Sequence, residues 1–107
     1  MAAFPIRVVW IEQERGEHEP PVQILVSVSK KRFRHAVDRN RVKRQVREGY
    51  RKHKHILWEA VTDSDQLLLA LVWLSDRHQA TQEVESRLTG LMQRVAEKVR
   101  SQQVEGR

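Results

Sequence analysis

A chain of 107 residues is long enough to build one hydrophobic core and too short for two. Its 39% hydrophobic and 32% charged residues exclude a disordered chain, and zero cysteines exclude disulfides, zinc–thiolate sites and thiol nucleophiles. The net charge of +6 is unevenly placed: residues 29–54 hold twelve Lys/Arg against two acids, and the rest of the chain is mildly acidic.

In chain order, residues 6–12 (IRVVWIE) are rich in β-branched and aromatic residues and predict a strand. The polar stretch QERGEHEPP, with Gly16, Pro20 and Pro21 as breakers, predicts a loop. Residues 22–29 (VQILVSVS) predict a second strand, expected to pair antiparallel with the first across that loop.

The basic segment follows, and its period is helical over residues 37–57. With Val42 at 0° and about 100° per residue, Val46, Tyr50, His53 and Leu57 fall within roughly 80° of arc. Asn40, Lys43, Arg44, Arg47, Arg51 and Lys54 fall at roughly 100–200° on the same wheel. The segment therefore predicts an amphipathic helix with a cationic stripe beside its buried face. Residues 66–75 (QLLLALVWLS) are ambiguous by composition, since Leu and Ala favour helix. Their length and polar boundaries favour a central strand buried on both sides. A last helix is expected over residues 81–102, where Val84, Leu88, Leu91, Val95 and Val99 recur at helical spacing. The fold class expected is α+β, a small two-layer sandwich in which helices cover one sheet, in a single domain over 1–107.

No Gly-rich phosphate loop, nucleophile elbow or His-Glu-x-x-His helix is present. His53 and His55 are two apart on a helix, so they point about 200° away from each other, and their cationic neighbours repel a metal. Asp63, Asp65 and Asp76 are read as loop and cap residues rather than a magnesium site. No catalytic residue, metal site or protein-bound cofactor is assigned.

The cationic stripe carries the functional signal. Segregated charge is the footprint of a polyanion-binding face. Arginines outnumber lysines between residues 29 and 54, and the guanidinium fork suits bidentate phosphate contacts. Nucleic acid is favoured over a membrane surface or a calmodulin target, because the apolar face of the helix is needed to cover the sheet. Physics alone leaves DNA and RNA both open, since phosphate contacts carry no sequence information. The chain lacks an apolar run of roughly 18 residues and a signal peptide, so no membrane partner and a cytoplasmic location are expected.

At SKKRFRHAVDRNRVKRQVREGYR the sequence resembles the protein subunit of bacterial ribonuclease P. The matching core is Ala36-Val37, Arg39-Asn40-Arg41, Lys43-Arg44, Arg47 and Arg51, preceded by a strand ending in Ser29-Lys30-Lys31. The resemblance extends over nearly the whole chain. It implies a mixed sheet with a left-handed strand–helix–strand crossover around the basic helix, whereas most such crossovers are right-handed. It also implies a non-catalytic subunit of a tRNA-processing ribonucleoprotein. In that family the RNA partner uses Mg2+ to remove the 5′ leader of precursor tRNA, and the protein aids substrate binding. The residues implied to contact the catalytic RNA are Lys30, Lys31, Arg39, Asn40, Arg41, Lys43, Arg44, Arg47 and Arg51, with Arg32, Arg34 and Lys54 extending the set. A ribosomal or other structural RNA-binding protein is the rival reading, and the ordered Arg-Asn-Arg signature argues against it. Two departures stand out. Family members usually begin with a basic helix that walls the leader cleft, and the sequence opens almost directly on a strand, so that helix is expected to be missing and no leader contact is assigned. Arg32-Phe33-Arg34-His35 also lengthens a junction where many members have a glycine, and Phe33 is expected to pack rather than stack on a base.

Overall fold

The computed structural model describes residues 1–105, the last three by backbone alone. Its elements are β1 (Ala2–Ala3), β2 (Ile6–Glu14), β3 (Val22–Ser27), α1 (Ala36–His53), α2 (His55–Trp58), β4 (Asp65–Trp73) and α3 (Thr81–Glu105). The strands form one mixed sheet in the order β1-β2-β4-β3.

Strands β2 and β3 do not pair, contrary to the expectation of a hairpin. β4 lies between them, antiparallel to β2 and parallel to β3. The physical reason lies in the β2–β3 loop, which straddles the start of β4. Arg15 donates to the carbonyls of Asp65 and Thr62, both at 2.8 Å. The fully buried Gln66 accepts from Gln13 at 2.8 Å and donates to the Pro20 carbonyl at 3.0 Å. The loop is therefore a bridge over β4, and the most apolar segment takes the position between β2 and β3. β3 and β4 are joined through α1 and α2, which makes the strand–helix–strand crossover of the fold.

The register sorts side chains onto two faces, as the two-residue period of a strand requires. Val8 faces Leu71 and, across β4, Val26; Val22 faces Leu67. These residues, with Ile6, Leu69 and Trp73, are buried beneath the helices. The other face carries Val9, Ile11 and Leu25 at 47%, 58% and 63% exposure, left open to solvent among the described residues. β4 was expected to be buried on both sides. It is fully covered only on the helix side, and Leu68, Ala70 and Val72 on the other are half-buried by their neighbours.

The helical segment expected over 37–57 divides at Lys54 into α1 and α2, where both Leu57 and Trp58 amides donate to the Lys54 carbonyl. Val42, Val46 and Gly49 form the buried face of α1, against Val84, Leu88, Leu91 and Val95 of the core. Gly49 permits close approach: a Cβ there would sit 3.1 Å from Leu88 Cδ2. Leu88 is fully buried, so truncating it to alanine would cost about 2–5 kcal/mol.

Candidate nucleic-acid interface

With Val42, Val46 and Gly49 committed to the core, the helical period turns a cationic side of α1 to solvent. Asn40, Arg41, Arg44, Arg47 and Arg51 are exposed, and Lys43 is half-buried at the margin. Arg44 and Arg47 line a shallow concavity of about 380 Å³ with Asn40, Glu48 and Arg51. A second, of about 390 Å³, lies between α1 and the start of α3 and is lined by Arg41, Arg44, Gln45, Gln79 and Thr81. Gln45 closes its floor by donating to the Gln79 carbonyl at 3.0 Å and the Thr81 hydroxyl at 3.1 Å.

The candidate residues differ in how committed they already are. Arg41, Lys43, Arg44 and Arg47 make no ion pair among the described residues. Arg51, by contrast, is paired with Glu48, which holds the Glu48 carboxyl below its usual range and raises the Arg51 guanidinium. Lys54 lies over the Trp58 ring, 4.6 Å from its centroid. Trp58 in turn donates to the Tyr50 hydroxyl at 2.9 Å. Burial pushes the Tyr50 phenol up, partly opposed by that hydrogen bond.

Arg39 is turned inward: its Nη1 donates to the carbonyls of Phe33 and Arg34 at 2.9 and 3.0 Å. It lies near the buried side of the helical wheel, so its first task is to fasten the segment before α1. In that segment Lys30, Lys31, Arg32 and Arg34 are all exposed. The Arg32 and Phe33 amides fold back onto the Ser29 carbonyl at 3.1 and 3.2 Å. Phe33 is buried and its ring stacks on His78, with centroids 4.6 Å apart. Phe33 therefore packs. His78 went unnoticed in the sequence because its partners are 40 and more residues away, and no local spacing signals them.

The family model described as Ribonuclease P matches residues 2–96. The chain belongs to the Ribonuclease P family. The Ribonuclease P protein component of Porphyromonas gingivalis (strain ATCC 33277) is 56% identical over 55 residues, covering 50% of this chain and 39% of that protein. The namesake protein of Chlorobaculum tepidum is 43% identical over 58 residues, covering 50% and 38%. The chain thus spans about two fifths of the length of the curated relatives it matches. The RNase P protein from Thermotoga maritima is similar in fold, with a TM-score of 0.64 over 88% of this chain and 80% of that one at 19% identity. The likeness supports the ribonuclease P protein fold seen here, a mixed four-stranded sheet with helices on one face.

The open sheet face of this ribonuclease P family member has a different character from α1. A concavity of about 340 Å³ there is lined by Val9, Ile11, Leu25, Leu68 and Ala70, with Gln23 as a polar neighbour. Arg7 lies on the same face by register, beside Val72. That surface offers aliphatic contact and little charge. Among the described residues no cluster of three His, Asp or Glu side chains is placed to hold a metal ion. None of the described helices is long and apolar enough to cross a membrane.

Proposed function

We propose that this chain is the protein subunit of ribonuclease P and docks on the catalytic RNA through the exposed side of α1. The observation that carries the reading is the run of cations without an ion pair among the described residues, Arg41, Arg44 and Arg47, beside Asn40 on a helix whose other side is locked into the core. Like charges held this closely repel one another, and phosphates relieve that repulsion. The RNA and precursor tRNA are the partners. Lys30, Lys31, Arg32 and Arg34 extend the same contact from the segment before α1, and Lys43 adds to its margin. Arg39 contributes chiefly by fastening that segment, Arg51 after surrendering Glu48, and Lys54 after leaving Trp58.

The chemistry belongs to the RNA, which uses Mg2+ for hydrolysis at the 5′ end of the tRNA. The protein contributes charge: its cations offset phosphate repulsion that would otherwise demand more Mg2+, and they strengthen substrate binding without entering the reaction. A cytoplasmic location fits that role. The test is cleavage of precursor tRNA by a bacterial ribonuclease P RNA at low Mg2+, with and without this chain. Stimulation is expected, and its absence at saturating protein would overturn the reading.

A further inference from the structure

The segment that joins β3 to α1 carries four exposed cations and no regular secondary structure, yet it is held at both edges. On one side Arg39 fastens the Phe33 and Arg34 carbonyls. On the other, His78 reaches over from the β4–α3 connection. Its ring lies on the Phe33 ring at 25° between planes, and its Nε2 is 3.1 Å from Asp38 Oδ1 in the first turn of α1. An ionised carboxylate only accepts, so His78 Nε2 carries the proton and donates. His78 is itself braced. The Arg77 amide and the Gln79 side chain both donate to the buried Ser75 hydroxyl, at 3.1 and 3.0 Å. Gln45 ties the same connection to the next turns of α1.

We propose that His78 is a positioning residue for RNA docking. One face of its ring seats Phe33 and one edge grips Asp38, so the Lys30–Arg34 segment is fixed relative to α1 before RNA arrives. This rests on the docking role proposed above. The physical gain is preorganisation: four long cationic side chains on an unfixed loop would lose that freedom on binding. His78 need not touch RNA for this.

Two readouts test it with the whole chain. Lys30, Lys31, Arg32 and Arg34 are tryptic sites, so limited trypsin treatment of the free protein reports whether the segment is fastened. His78→Ala should speed cleavage there, and not at Arg94 or Arg100 on α3. It should also weaken binding to a bacterial ribonuclease P RNA by about five- to tenfold, as expected from losing preorganised contacts. His78→Phe keeps a ring against Phe33 and should fall between wild type and His78→Ala in both assays; it also serves if the alanine variant does not fold. His78→Phe and His78→Ala remove the same imidazole, so a charge effect alone predicts equal affinity for the two variants. Unchanged cleavage, or faster cleavage with unchanged affinity, would overturn the proposal. Weaker affinity with unchanged cleavage would also overturn it, since His78 would then act by another route. If the wild-type chain binds no ribonuclease P RNA, the docking role fails, while the tryptic pattern still decides whether His78 fastens the segment.

Discussion

Arg51 holds both carboxylate oxygens of Glu48, with Nε at 3.0 Å and Nη2 at 2.6 Å. One of the cations on the exposed side of α1 is therefore neutralised before any RNA arrives, and the acid that does it lies in the same concavity as Arg44 and Arg47. Glu48→Gln should leave the fold intact, because the pair is exposed and solvent screens its contribution to stability. Affinity for ribonuclease P RNA should rise by about two- to fivefold, within the range of one relieved surface charge. Filter binding at fixed salt checks this, and a fall in affinity would mean that Glu48 orients Arg51 productively.

Gly49 lies in the contact between α1 and α3, with Leu88 Cδ2 3.1 Å from the position of an added Cβ. Gly49→Leu should lower stability by about 1–3 kcal/mol through overpacking. Gly49→Ala should be much milder, because its helix propensity gain of about 1 kcal/mol offsets the tight contact. Urea melts of the two variants measure both values. Equal midpoints for Gly49→Leu and wild type would mean that the helices separate without cost.

The same helix pair is tied at its surface by Glu85, which accepts from Lys52 at 3.0 Å and faces His53 Nε2 at 3.9 Å. The Lys52 hydrogen bond holds the Glu85 carboxyl below its usual range. A lowered carboxyl favours the folded state above its unfolded pKa, and the contribution is lost as pH falls through the folded value. Stability of wild type should therefore decline on acidification more than that of Glu85→Gln, with the difference confined to the acid side of about pH 4.5. Parallel pH profiles for the two proteins would show that the tie carries no linkage.

Much of this fold was legible because its elements bury faces at regular periods. Val42 and Val46 on α1, Leu57 on α2, and Val84, Leu88 and Val95 on α3 announced themselves at helical spacing. The strand order did not. Pairing of β2 with β3 looked natural from the short loop between them, but that loop is held across β4 by Arg15 and Gln66, and such long-range hydrogen bonds leave no periodic trace. The cationic side of α1 was equally legible, as a wheel and as an ordered motif. What the wheel could not tell is which cations are already engaged: Arg39 folds onto the Phe33 carbonyl, Arg51 onto Glu48 and Lys54 onto Trp58. Those engagements depend on a short strand end, an acid one turn back and a helix break, details finer than residue type.

In the docking proposed above, the exposed side of α1, and not basic character in general, holds the ribozyme RNA. The most direct test is the salt dependence of binding to ribonuclease P RNA. Each phosphate contact contributes a slope of about −0.7 for a single strand and about −0.9 for a duplex in log affinity against log salt. Arg44→Ala with Arg47→Ala should flatten that slope by about one to two units. The control pair Arg94→Ala with Arg100→Ala, which removes equal charge from an exposed part of α3, should leave it unchanged. Equal flattening by both pairs, or none by the α1 pair, would mean that α1 is not the RNA-docking face.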